Sequence, residues 1–336
     1  MKKKLLYLFV LLALQCISQL VSAQSESYKT LEDDPSNIKN LTIHLDPFYA
    51  DGWLTNITLG FGVRADYHLG KRATFLFDFR TPYPGTDTEG RMHADGALPY
   101  PSPTGETRGL ARFSYTELGA EFHLMDWTKS KGLRVVLSAY STGRSTITTS
   151  ITVPGTKRKV VAVRGGFTTM RSAFDVQDTK GTVKGFHDKD TITFGSFLDT
   201  KGGSPVYGGY SNMTMVILHA GISIKSITNL LVSTSNYGNK GNRLYTDLYF
   251  DLLLAPVISL SDVLTANGTT YELRASSFTR TGYRFGYTWK NSMKSFLSYK
   301  AEIGTRPGFP ANNFFINLIM GWTIPLNIKL KTTKSE

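Results

Sequence analysis

The chain has 336 residues, 41% of them hydrophobic, enough for one large core or two small ones. Its formal charge of +12 is spread along the sequence, with no basic block in the exported part longer than Lys157-Arg158-Lys159, which argues against a nucleic-acid-binding face. The single cysteine, Cys16, excludes a disulfide framework and a thiolate metal site.

Residues 1–23 (MKKKLLYLFVLLALQCISQLVSA) join Lys2, Lys3 and Lys4 to an apolar run and end on Val21-Ser22-Ala23. That order reads as a cleavable signal peptide, with a retained anchor helix as the alternative. Lipidation at Cys16 fits poorly, because Gln15 is larger than the small residue such sites carry before the cysteine. The exported remainder has 35 basic and 26 acidic residues, hence +9, and no cysteine. A cysteine-free chain crosses an oxidising periplasm without mispairing. Residues 24–39 are polar and read as a periplasmic arm or a short plug. Beyond the signal no apolar run reaches 18 residues without interruption, so a membrane helix is not expected.

From residue 40 the dominant period is two. A weak strand is expected at 40–49. In 54–69, Thr55, Ile57, Leu59, Phe61, Val63, Ala65, Tyr67 and Leu69 share one face, and Arg64, Asp66 and His68 the other. After a tight Gly70-Lys71 turn, 72–82 sets Ala73, Phe75, Phe77 and Phe79 against Asp78 and Arg80, which reads as a hairpin. Similar alternation recurs at 112–124, 133–144, 212–226, 244–258, 279–290 and 295–306, with weaker strands at 157–170 and 191–200. The last segment, NFFINLIMGWTIPLNIKL (313–330), is oily enough to pass for a membrane helix. All nine even positions from Phe314 to Leu330 are apolar, however, and a helix would scatter them around its circumference. Pro325 lacks an N–H, so the ladder should be ending or bulged there.

These segments give about twelve strands. The expected architecture is all-β: a transmembrane antiparallel up-and-down β-barrel over 40–330, with a polar tail at 331–336. An up–down assignment places both termini in the periplasm, the polar connections 84–108 and 201–211 outside, and the short turns 70–71 and 291–293 inside. It also requires long periplasmic connections at 171–190 and 227–243. The competing architecture is a secreted soluble β-sandwich that binds a ligand. Alternation over 11–18 residues favours the membrane, because crossing strands need roughly 9–11 residues and ordinary strands run about five or six. Glycines on the polar faces suit a curved wall, and Trp289, Tyr287, Trp322, Phe113 and Tyr115 near strand ends read as interfacial girdles.

In this pattern the chain resembles outer-membrane β-barrel proteins of Gram-negative bacteria, and stretches such as LGAEFHL (118–124) and LYTDLYFDLLLAP (244–256) are similar in style to barrels of the Bacteroidota. The resemblance implies outer-membrane lipids and the assembly machinery as partners. Such barrels often end on an aromatic residue, whereas this pattern ends on Leu330.

If the apolar face meets lipid, the other face lines a lumen. Its expected lining is Arg64, Asp66, Asp78, Arg80, Glu117, Glu121, Arg134, Arg144, Arg164, His219, Asp247, Asp251, Arg280, Arg284, Lys300, Glu302 and Arg306, joined by His68, His123, Lys225 and Lys290. Basic residues form the majority. Either the charges pair and fill the lumen, or a water path remains that prefers small anionic solutes. The function expected is porin-like passage of small solutes or a structural or accessory membrane role. The alternative is a barrel-embedded enzyme such as a phospholipase. No serine adjoins a histidine in a recognisable nucleophile motif. Asp247/Asp251 and Glu117/Glu121 lie about 13 Å apart along a strand, too far for a glycosidase pair. His187-Asp188 with Asp190 reads as a solvated loop rather than a metal cluster. No catalytic, cofactor or metal residues are expected.

Overall fold

The computed structural model describes residues 27–37, 39–53, 56–70, 72–83, 91–93, 113–175, 183–188, 190–193, 210–264, 270–291, 297–310 and 313–326. Residues 1–26, which include the expected signal peptide, residues 327–336 and most of the 84–108 connection lie outside them.

Strands follow in the order β1 (Tyr28–Asp33), β2 (Leu41–Trp53), β3 (Asn56–Leu69), β4 (Ala73–Pro82), β5 (Arg91–His93), β6 (Ser114–Ser141), β7 (Thr146–Asp175), β8 (Val183–His187), β9 (Asp190–Thr193), β10 (Tyr210–Thr234), β11 (Gly238–Leu260), β12 (Val263–Leu264), β13 (Thr270–Ala275), β14 (Thr281–Asn291), β15 (Leu297–Thr305) and β16 (Phe314–Leu326). Ten of them, in the order β10-β11-β14-β15-β16-β2-β3-β4-β6-β7, form one antiparallel sheet that the β7–β10 pairing closes. Full closure leaves no edge to satisfy, which is the only way strands can stand in hydrocarbon.

The count is ten rather than about twelve for two reasons. Residues 112–124 and 133–144 are not separate strands but parts of the 28-residue β6, and 157–170 lies within the 30-residue β7. The bulge between His123 and Met125 shifts which residues face outward, and this breaks the sequence alternation without ending the strand. Of the strand expected at 191–200, residues 191–193 belong to β9, which lies in a separate four-stranded sheet, β12-β13-β8-β9, and 194–200 lie outside the described residues. The connection expected in the periplasm at 227–243 is almost all strand, and the one expected at 171–190 begins at the opposite end of the barrel. β7 continues to Asp175, and β10 and β11 pair without a break to Thr234 and Gly238, leaving only a three-residue turn.

One barrel end, the turn end, carries the connections 70–72, 142–145, 235–237 and 292–296. Gly70 takes a φ of 59° there, a conformation that costs glycine little. The opposite end, the loop end, carries 83–113, 176–209, 261–280 and 306–313. The faces are sorted as the alternation demands. In β16, Phe314, Ile316, Leu318, Met320, Trp322, Ile324 and Leu326 point outward and are exposed, while Phe315, Asn317, Ile319 and Thr323 are buried inside. Pro325 sits opposite Thr42 one residue before β16 ends. Exposed outward side chains continue round the wall, among them Leu118, Phe122, Phe167, Leu218, Ile222, Leu248, Leu252 and Phe285. A soluble protein would hide such a belt; here the polar groups are inside and the apolar ones outside.

The aromatic girdle is partly as expected. Trp322 faces out, and Trp289 packs on Tyr299 at 5.4 Å on the outer wall near the turn end. Phe113 and Tyr115 do not join it: both are buried within the barrel. At the turn end β6–β7 and β10–β11 outgrow the barrel. Their seam opens beyond Thr228–Lys157, and β1 takes the vacated edge of β10 at Leu230–Thr234. Asp33 anchors the wedge by accepting from the Thr156 backbone N–H and hydroxyl. Leu133, Val135, Leu137 and Val153 then pack on Leu230 and Val232 as a second small core.

Candidate functional site

The lumen is stacked in layers along the axis. At the turn end lies a cavity of about 480 Å³ between the N-terminal arm and the wall. Its lining mixes apolar Ile227, Leu244 and Pro325 with Arg243, Lys290, His68, Tyr245 and Thr323. Glu32 of β1 holds the arm in place, accepting from Asn229 at 2.7 Å, from Asn37 at 2.8 Å and from Arg243. Burial pushes the Glu32 carboxyl up, but the Asn229 amide, the Arg243 charge and the Asn37 amide together hold it below the ordinary glutamate value.

Above the cavity the lumen is filled with charge. Arg64 grips Asp46 through two bonds of 2.6 and 2.9 Å. Arg284 is the hub: it donates to Glu117 at 2.7 and 3.0 Å, to Asp251 at 2.7 and 3.0 Å, and lies 3.2 Å from Glu302. Glu302 also meets Arg80 and Lys300, each at 3.2 Å, and the Tyr249 hydroxyl at 2.6 Å. Arg80 holds Asp78, which also accepts from Lys300 at 2.9 Å. Arg164 stacks 3.8 Å above the Tyr249 ring and reaches Asp251 at 3.0 Å. Lys225 pairs with Glu121, and Lys290 with Asp66. Nearer the loop end, Arg306 grips Asp51 through bonds of 2.7 and 2.6 Å beneath Phe315. Close approach of these groups is possible because inward glycines leave room: a Cβ on Gly286 would sit 2.0 Å from the Tyr249 ring.

Of the residues read from sequence, Arg64, Asp66, Asp78, Arg80, Glu117, Glu121, Arg164, His219, Asp247, Asp251, Arg284, Lys300, Glu302 and Arg306 come together in this column. Three do not. Arg134 is exposed on the part of β6 beyond the barrel, bonded to Ser150; Arg144 lies in the exposed 142–145 turn; Arg280 sits at the loop end, donating to the Ala255 and Pro256 carbonyls. Two carboxylates were missed, Asp46 and Asp51, because the bulge between Asp46 and Tyr49 disguises the alternation of β2. The exchange changes the sign of the argument. Among the described residues the column holds eight cations (Arg64, Arg80, Arg164, Lys225, Arg284, Lys290, Lys300, Arg306) and nine carboxylates (Asp46, Asp51, Asp66, Asp78, Glu117, Glu121, Asp247, Asp251, Glu302). The basic majority expected of the lumen is gone, and with it the ground for anion preference.

The loop end is closed by carbon. Tyr49, Trp53, Phe113, Met170, Phe174, Met213, Met215, Phe309 and Phe315 form a buried apolar cluster, capped by Val183, Tyr271 and Leu273 of the small sheet. β8 and β13 pair across the mouth, so two connections make one lid.

One constellation resembles a hydrolytic triad. His44 Nε2 lies 3.2 Å from Asp66, and its Nδ1 lies 3.2 Å from the Ser298 hydroxyl. Its surroundings give it a structural part. Ser298 is fully buried, Arg64 also donates to its oxygen, and the Thr323 hydroxyl lies 3.1 Å from the same His44 nitrogen. Among the described residues no group of three His, Cys, Asp or Glu side chains is arranged to hold a metal.

No protein-family model matches the chain, and no curated protein matches it. Among solved structures it is similar to the toluene transporter TbuX of Ralstonia pickettii, at 10% identity over 88% of this chain and 92% of that one, with a TM-score of 0.29. It is also similar to the monoaromatic hydrocarbon channel CymD, at 8% identity over 88% and 90%, TM-score 0.23. A loop-deletion form of OmpT, an outer membrane protein of Vibrio cholerae, aligns at 9% identity over 86% of this chain and all of that one, TM-score 0.17. At these scores the functional reading rests on the residues of this chain alone.

Proposed function

We propose that the chain is an outer-membrane β-barrel of a Gram-negative bacterium whose lumen is closed at rest, with a structural or accessory role rather than that of an open porin. The turn end, which carries the N-terminal arm, faces the periplasm in this reading. The outward belt supports membrane residence, and the paired column centred on Arg284 carries the closed lumen. An open anion path needs cations with free valence facing water; here Arg284 is shared among Glu117, Asp251 and Glu302. The reading is of a non-enzymatic protein, since the Ser298 hydroxyl is buried away from the cavity.

Planar-bilayer recording of the refolded barrel tests this reading. Silence at moderate voltage is expected; stable conductance steps with ion preference would replace it with the porin. Phospholipid release abolished by Ser298→Ala would establish the enzyme instead.

A further inference from the structure

Immediately past the apolar belt at the turn end, β6 and β7 present a cluster that the lumen argument does not use. Met125 and Val161 are directly opposite one another and face outward. The next outward pair is Trp127 and Lys159, and the one after it is Lys129 and Lys157. Directly opposed side chains on one face of a sheet lie about 5 Å apart at Cβ, where like charges repel. None of the three lysines has an ion pair or hydrogen bond among the described residues. Nor does the neighbouring strand supply a counter-charge: β10 places Ser226 beside Lys159 and Thr228 beside Lys157. Of the nearby carboxylates, Asp126 points to the other face and is held by Arg158 at 2.6 and 2.8 Å, and Asp33 accepts from the Thr156 backbone N–H and hydroxyl rather than from a lysine.

Depth decides what meets these ammonium groups. Two residues of a strand tilted by about 45° descend about 5 Å along the membrane normal. The headgroup layer is about 5–7 Å thick on each side of the hydrocarbon. Lys159 therefore lies within that layer, and Lys129 and Lys157, about 9 Å down, lie just beyond it, from where flexible stems reach back into it. Trp127 sits at the same level, where an indole favours the boundary between apolar and wet surroundings.

We infer that Lys129, Lys157 and Lys159, with Trp127, form a binding surface for the phosphate headgroup of an anionic phospholipid in the periplasmic leaflet. The inference rests on the membrane reading given above. The anion relieves the repulsion between the opposed lysines, and its acyl chains run up the wall beside Met125, Val161 and Val163.

The test is native mass spectrometry of the detergent-solubilised barrel titrated with phosphatidylglycerol, phosphatidylcholine or a diphosphorylated lipid A. Phosphatidylglycerol should be retained at least about tenfold better than phosphatidylcholine, since each basic residue near an anionic surface is worth about fivefold and two of the three already exceed that margin. The K129Q/K157Q/K159Q variant should lose about tenfold of that retention, while K29Q/K184Q, altered at exposed lysines elsewhere, should keep it. Raising salt should weaken retention by the wild-type chain in parallel, a check that needs no variant. Equal retention of the two phospholipids, or unchanged retention by the triple variant, overturns the proposal. Preference for lipid A over phosphatidylglycerol overturns the assignment to the periplasmic leaflet. A barrel that stays monodisperse without detergent refutes the membrane reading itself, and light scattering reports that separately.

Discussion

Arg284 shows what a single lumen residue must do. Three carboxylates converge on it, and none is exposed to water. Burying an ion pair yields little net stability, but deleting one partner strands the other. Arg284→Met should therefore cost about 3–5 kcal/mol, measured by urea unfolding in lipid vesicles, and Glu117→Gln should destabilise in the same direction. The double variant should cost less than the sum, because the second change removes a charge the first has stranded. Glu32 belongs to the same scale but lies at the mouth. Its folded-state value is lowered, so its contribution is fully present above the ordinary glutamate value of about 4.3 and is lost as pH falls through the folded-state value. Arm docking should weaken in that acid window, with faster hydrogen exchange over 28–37. Glu32→Gln should show the loosened arm already at neutral pH; protection unaffected by either change would remove Glu32 from the role of latch.

At the scale of the element, β16 tests the sorting of faces most directly. Leu318 faces out near the middle of the belt, and Asn317 beside it faces in and donates to Asp51 at 2.9 Å. Leu318→Arg should cost about 2–4 kcal/mol as a charge at mid-membrane. Asn317→Leu should cost about 1–3 kcal/mol for a different reason, the lost donor to a buried carboxylate. Both are read by vesicle refolding; equal tolerance of charge at 317 and 318 would mean that the faces are not sorted between lipid and lumen. This strand was legible in the sequence because its alternation is unbroken from Phe314 to Ile324. β6 and β2 were harder to read because bulges at His123/Met125 and Asp46/Tyr49 insert one residue and flip the parity. A period-two reading sees such a flip as a gap, so it splits β6 and leaves Asp46 and Asp51 out of the lumen. Arg134 and Arg144 depart in the opposite way: β6–β7 runs on past the closed barrel, and alternation alone cannot tell a wall from an extension.

For the whole molecule, the expectation of an all-β closed barrel with short turns at one end follows from periodicity and turn length. The lid does not, since β8 and β13 come from connections far apart in the chain and only tertiary pairing unites them. That lid makes the closure double. On the proposed closed lumen, the apolar cluster under it would exclude ions by withholding hydration, and the Arg284 column by occupying the bore. Two barriers in series act as resistances that add, so relieving one leaves the other in control. W53A/F309A should thin the outer cluster, yet bilayers carrying this variant should remain silent. Arg284→Ala alone should conduct little, because the apolar cluster still stands above it. Combining the three substitutions should give measurable steps, provided that heat-modifiable gel mobility shows the barrel intact. Conductance from either change alone would show that a single barrier, not two, holds the lumen shut, and its identity would say whether carbon or charge forms the gate.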